Sequence, residues 1–281
     1  MRQGRPAPIL LRMAISGRTI ATGPGWQVSD FVCTSGPADP VFEERHEAVS
    51  MAIVTSGSFR YRSTTGSALL GPGAILLGNP GQCFECGHEH GVGDRCLSFS
   101  FTAEAFDAVL SGVPGAKRAA FRTPRIAPSE KLTALIAAAE AARDEQDTPA
   151  LEEHALRLAA LAAAGPDATA PQAGARDRSR IGEIIRLIEA RAEEDLPVTT
   201  LAALAGMSPF HFLRVFRAVA GLTPHRYILR LRLHRAAVRL RRSREAISHI
   251  AYDVGFNDLS TFNHRFRSVM GMSPRRWRVG P

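Results

Sequence analysis

No run of roughly eighteen apolar residues, the least that carries a helix across a membrane, occurs in this chain of 281 residues, so no membrane span is expected. Ile9-Leu10-Leu11 is too short for the core of a signal peptide and Arg12 interrupts it; the expectation is a cytoplasmic protein. Only four cysteines are present, Cys33, Cys83, Cys86 and Cys96, and in that compartment they read as reduced thiols, ligands or redox switches rather than structural disulfides. Large apolar residues are missing between Gly165 and Ala175, where Pro166, Pro171 and Gly174 also fall. That stretch cannot build a core, and residues 165–178 read as a linker between an N-terminal domain, 1–164, and a C-terminal one, 179–281.

Lysine is absent from residue 176 onward. Twenty arginines stand there against nine acidic residues, an excess of eleven positive charges, while the fifteen basic and eighteen acidic residues before it leave a deficit of three. A basic domain joined to a slightly acidic one calls for a polyanion, of which nucleic acid is the usual example. A basic surface that only keeps the protein soluble is the alternative.

Between residues 26 and 101 short β-rich pieces, at 50–55, 58–63, 69–74 and 75–77, alternate with Gly, Pro, Asn and Ser turns. Regularly spaced short strands predict a β-sandwich or barrel, and a jelly roll fits. Leu132, Leu135, Ile136 and Ala139, and beyond Asp147-Thr148-Pro149 also Leu151, His154, Leu158 and Leu161, recur at helical spacing. Two amphipathic helices follow, with small apolar faces to pack on the barrel or on a second subunit.

The last hundred residues contain a repeat. Phe212 and Phe262, Phe216 and Phe266, Arg217 and Arg267, Gly221 and Gly271, and Pro224 and Pro274 are each 50 apart, whereas Gly206 and Gly255 are 49 apart, which gives the second turn one extra residue. In each copy a short apolar helix ends at a glycine suited to positive φ. Ser208, or Asn257-Asp258, then caps a second helix whose aromatics pin it to a core. This is the pattern of a helix-turn-helix, which leaves one face of the second helix free for a DNA groove. Ile181, Ile184, Ile185, Leu187 and Ile188 mark a further helix ahead of the first copy.

The second copy, with Ile247, Ile250-Ala251, Val254-Gly255-Phe256, Ser260, Phe262, Phe266-Arg267, Gly271, Ser273-Pro274 and Trp277-Arg278, resembles the DNA-binding domain of the AraC/XylS regulators. The resemblance extends from about residue 179 to 278. It implies an α+β two-domain protein: a cupin-like β-barrel with two flanking helices for sensing and dimerisation, then an all-α domain with two helix-turn-helix units, about 199–219 and 247–269, joined by a long helix over 224–242. On that long helix Arg226, Arg230, Arg232, Arg235 and Arg239 would flank the DNA backbone while Ile228, Leu231, Leu233, Ala236 and Leu240 fill the core. The matching base-reading positions are Phe210, Leu213 and Arg214 in the first unit and Leu259, Ser260, Thr261, Asn263 and His264 in the second. Arg214 and Asn263 carry groups that can bond base edges, whereas Arg217 and Arg267 suit phosphate or are surface charges. Implied partners are promoter DNA, RNA polymerase, a second copy of the chain and a small effector.

The densest group of soft ligands is Cys83, Cys86, His88, His90 and Cys96. It reads as a site for zinc or another thiophilic metal, as a redox pair of Cys83 or Cys86 with Cys96, or as small residues in a turn. His46, near Glu43, Glu44 and Glu47, reads as a packing residue before a ligand. Two enzyme readings compete: a cupin metalloenzyme built on His88-x-His90, and a DNA-repair methyl acceptor, which needs two close cysteine pairs where this chain has one.

Overall fold

Alternation of apolar and polar residues becomes a set of short strands in the computed structural model, which describes residues 15–41, 43–88, 93–113, 120–164 and 173–280. The strands are β1 (Ile15–Gly23), β2 (Trp26–Cys33), β3 (Glu43–Arg45), β4 (Val49–Gly57), β5 (Phe59–Ser63), β6 (Gly66–Leu70), β7 (Ile75–Gly78), β8 (Cys83–Gly87), β9 (Asp94–Phe101) and the short β10 (Arg125–Ile126). They pair antiparallel in two sheets, one ordered β1-β2-β9-β4-β7-β10 and the other β3-β8-β5-β6.

The larger sheet is buried on both faces because successive side chains of a strand point opposite ways. Met51, Ile53, Leu97 and Phe99 face helices α1 (Ala103–Ser111), α2 (Glu130–Glu145) and α3 (Thr148–Ala164), meeting Phe106, Leu132, Ile136, Leu151 and Leu158. Ala52, Val54 and Cys96 face the other way and meet Phe59, Tyr61 and Leu70 of the smaller sheet. The two flanking helices expected from periodicity are α2 and α3.

The expected closed barrel is not formed: among the described residues, strands pair only within their own sheet. The physical reason lies at the crossings. Four of the six passages between sheets run through a glycine with positive φ, Gly57, Gly73, Gly81 and Gly93, so at these corners the chain turns sharply and the hydrogen-bond ladder ends instead of bending around.

The C-terminal part is helical: α4 (Ala175–Ala190), α5 (Val198–Leu204), α6 (Pro209–Ala220), α7 (Pro224–Arg242), α8 (Ile247–Asp253), α9 (Leu259–Met270) and α10 (Pro274–Val279). Helix α4 begins inside the expected linker, whose residues 165–172 lie outside the described ones. Helix α7 serves two cores in turn. Tyr227, Ile228 and Leu231 pack with Ile181, Ile188, Phe212 and Phe216, while Leu233, Ala236 and Leu240 pack with Ile250, Phe262, Phe266 and Trp277.

The two parts are docked through α2. Its Leu132 and Ile136 belong to the sheet's core, and its Ala137, with Ala134 and Ala138 beside it, packs on Leu233, Ala236 and Ala237 of α7. Alanine on both sides lets the backbones approach closely. Charge complements this seam: Glu140 bonds His234 at 2.8 Å, Glu145 bonds Arg241 at 2.8 Å, and Asp144 bonds Arg242 at 2.7 Å. Part of the C-terminal positive excess is thereby neutralised within the chain.

Candidate nucleic-acid interface

Each helix-turn-helix unit is built from local chemistry that the sequence specifies. Gly206 and Gly255 turn the chain at φ 61° and 98°, values that a side chain would strain. The Ser208 hydroxyl then accepts from the His211 amide at 3.4 Å to cap α6, and the Asp258 carboxylate accepts from the Thr261 amide at 2.8 Å to cap α9. Hydrogen bonds from Thr261 hold the Asp258 carboxyl below the usual carboxylate range, as an ionised cap at a helix N-terminus requires.

Aromatic packing fixes which face of each second helix is hidden. Phe212 and Phe216 sit 5.5 Å apart, with Phe216 edge-on to Tyr227 at 5.8 Å. Phe262 and Phe266 repeat this at 5.4 Å, with Phe266 edge-on to Trp277 at 6.1 Å, and the Trp277 indole donates to the Ala237 carbonyl at 3.0 Å. All four phenylalanines are fully buried, in keeping with their expected core role.

The opposite faces are open. On α6 Phe210 is 82% exposed, Leu213 37%, and Arg214 and Arg217 are exposed; the Arg214 guanidinium lies 3.1 Å from the His211 ring. On α9 Ser260, Thr261, Asn263, His264 and Arg267 are exposed together, while Leu259 is half-buried against the second core. Arg265 on the same helix and Arg275 and Arg276 on α10 are not among the DNA-contact positions that the resemblance implies. These three, like Arg217 and Arg267, are exposed with no carboxylate partner among the described residues. Their signal was present as basic residues on a recognition helix and just past it.

On the long helix the arginines that the resemblance sets along the DNA backbone have partners within the chain. Arg232 donates to the carbonyls of Ala192, Gly255 and Glu194 at 2.5, 2.7 and 2.7 Å, tying α7 to the turn ahead of α5 and to the turn of the second unit. Arg230 is buried and bonds the Pro72 carbonyl of the N-terminal part; a side chain at Gly73 would collide with it. Arg235 bonds the Glu189 carbonyl and Arg239 pairs with Glu245 and Asp253. Arg226 lies 3.5 Å from Glu130. Unpaired backbone carbonyls inside the fold are strong competitors for a guanidinium.

In the N-terminal part, period-two geometry splits the expected Cys/His set. Cys86 faces the sandwich interior with Phe84, so Cys83, three positions earlier on the strand, points to the opposite face. His90 lies outside the described residues. Cys86, His88 and Cys96 are instead joined by Cys33 and Asp94, which sequence reasoning missed because their proximity arises from the β2–β9 register, where they are direct partners. Burial pushes the Cys33, Cys86 and Cys96 thiols above the ordinary range, which keeps them protonated and slow in disulfide exchange. His46 is a packing residue: it stacks on Phe84 at 4.2 Å and bonds the Tyr61 hydroxyl at 2.9 Å.

Residues 201–279 match a family model described as a helix-turn-helix domain. The transcriptional activator RhaS of Citrobacter koseri is 31% identical over 151 residues, 54% of this chain and 54% of RhaS. The probable transcriptional regulator LumQ of Photobacterium leiognathi is 33% identical over 90 residues, 32% of this chain and 36% of LumQ. A solved transcriptional regulator with an AraC-type DNA-binding domain, from Chromobacterium violaceum, is 30% identical and covers 38% of this chain and 95% of its own, with a TM-score of 0.35. The chain thus spans about half, or less, of the length of these curated relatives.

Proposed function

Since the chain belongs, by its C-terminal helices, to the AraC-family helix-turn-helix transcription regulators, we propose that it is a sequence-specific promoter-binding protein of the cytoplasm whose two-sheet domain senses an effector and pairs two copies of the chain. The family is one of regulators, not enzymes. The observation that carries the reading is the pair of open helix faces, α6 and α9, each backed by two buried phenylalanines and each flanked by arginines without a carboxylate partner. Rigid backing lets side chains on the open face meet base edges in successive major-groove segments, while the flanking arginines meet phosphate. Arg214 and Asn263 read base edges, Phe210, Leu213 and Leu259 meet thymine methyls, Ser260, Thr261 and His264 contribute shorter polar contacts, and Arg217 and Arg267 take phosphate.

Pairing of two copies multiplies the number of DNA modules and gives an effector something to control. Because the small face of α2 is occupied by α7, pairing falls to the other surfaces of the two-sheet domain, such as the outer face of α3, where Leu156 is 45% exposed. RNA polymerase is the further partner of a promoter-bound regulator.

The test is binding of the full chain to DNA selected from a random pool. A selected site should emerge, with affinity falling steeply with salt as counterions are released. Arg214→Ala should relax preference at one base position by about 1–3 kcal/mol, whereas Arg217→Ala should weaken all sequences alike. Equal affinity for every duplex would refute the proposal.

A further inference from the structure

Where the two sheets of the N-terminal domain face each other, side chains from three strands or their ends converge on one point. Asp94 is the register partner of Cys33 across β2 and β9, and Cys96, two residues along β9, shares its face. From the facing sheet the chain leaves β8 at Gly87 and presents His88 to the same point. The Cys33 sulfur, a ring nitrogen of His88 and a carboxylate oxygen of Asp94 all lie within 4.8 Å of one another. His88 Nε2 is 2.6 Å from one Asp94 oxygen, and the Cys96 sulfur is 3.4 Å from the other.

We propose that Cys33, His88, Asp94 and Cys96 form a binding site for one thiophilic divalent cation of the zinc class. Two sulfurs, one imidazole and one carboxylate are the donors such an ion takes. Ligands bound at about 2.0–2.3 Å in a tetrahedron stand roughly 3.5 Å apart, a spacing that for Cys33, His88 and Asp94 falls between the 2.6 Å contact and the 4.8 Å limit observed; Cys96 is brought to the site through its 3.4 Å contact with Asp94. The donors are preformed: Cys33, His88 and Cys96 are each 7–8% exposed, and Cys33 and Cys96 sit on strands paired over eight consecutive residues. A narrow cleft lined by Pro40, Val41, Cys33 and His88 adjoins the site. The donor set joins both sheets, so an occupied site would clamp them at this end. The inference stands apart from the DNA-binding reading, because none of its residues belongs to the helical domain.

The experiment titrates cobalt(II) and zinc(II) into the full-length protein prepared under reducing conditions. One equivalent of cobalt should develop sulfur-to-metal charge-transfer absorption and tetrahedral d–d bands, bleached by one equivalent of zinc. Cys33→Ser, His88→Ala and Cys96→Ser should each weaken binding on the order of 100-fold, while Cys83→Ser, on the opposite strand face, should leave it unchanged. Thermal unfolding of each variant, compared with and without zinc, separates ligand loss from misfolding: a folded variant keeps a transition that zinc no longer raises. Absence of charge-transfer bands in folded wild-type protein would overturn the proposal, as would binding that survives His88→Ala or is lost in Cys83→Ser.

Discussion

Glu140 is where the docking of the two domains can be weakened at a single atom group. Its carboxylate, 5% exposed, accepts from His234 at 2.8 Å across the seam and lies 3.7 Å from Arg143, itself 4% exposed. Glu140→Ala leaves the Arg143 guanidinium buried with Asp144, 3.1 Å away, as its remaining carboxylate, and one of its nitrogens already lacks a partner. Breaking such a buried pair costs about 3–5 kcal/mol. The neighbouring pairs Arg241–Glu145 and Arg242–Asp144 reach solvent and should contribute only about 0–1 kcal/mol each. A double-mutant cycle of Glu140→Ala with His234→Ala isolates the cross-domain bond, expected at about 1.5–3 kcal/mol. The two tryptophans make the assay domain-specific, since Trp26 lies in the sheet core and Trp277 in the second helix-turn-helix core. Urea unfolding of single-tryptophan variants, Trp26→Phe and Trp277→Phe, should give coincident transitions in the parent and split ones when Glu140→Ala is added. Coincident transitions in the variant, with a coupling below about 0.5 kcal/mol, would refute the account of docking.

Phe262→Ala, which empties a fully buried position in the second core, should cost about 3–5 kcal/mol in urea unfolding monitored at Trp277; a loss under about 1 kcal/mol would mean the helix is not held as described. Arg232→Ala removes three bonds to backbone carbonyls, so the melting temperature should fall while the salt slope of DNA binding stays that of the parent; a slope reduced by about one phosphate contact would make it a DNA residue after all. His46 is held neutral by burial, its pKa lowered from 6.5 to about 4. The unfolded chain binds the proton that the folded one refuses, so this contribution is intact above pH 6.5 and lost as pH falls from there through 4, by about 3 kcal/mol. His46→Gln should flatten that part of the stability profile of the N-terminal domain, and an unchanged acid slope would count against the burial account.

The helix-turn-helix units were legible in the sequence because their determinants are local. A glycine, a capping side chain and aromatics four residues apart act within one or two helical turns, and the spacing of 50 brought the same grammar round twice. Of the β-rich pieces between residues 49 and 78, those at 50–55, 58–63 and 75–77 were legible for the same reason, since alternation and turn residues are read over a few positions, whereas the piece at 69–74 is strand only at Leu69 and Leu70 and then a turn. Closure of those strands was not legible, because whether a ladder continues around a corner depends on how Gly57, Gly73, Gly81 and Gly93 turn the backbone between partners distant in sequence. Nor were the fates of the arginines: Arg214 and Arg232 are the same residue type on basic helices, yet one faces solvent and the other is surrounded by carbonyls from Ala192, Glu194 and Gly255. The thiol cluster shows the division most clearly. Cys86, His88 and Cys96 lie close along the chain, whereas Cys33 and Asp94, 61 residues apart, meet through the register of β2 with β9. Local periodicity and capping are properties of the chain itself; which side chains meet across sheets and domains is settled by packing, where each buried polar group must find a partner wherever the fold brings one.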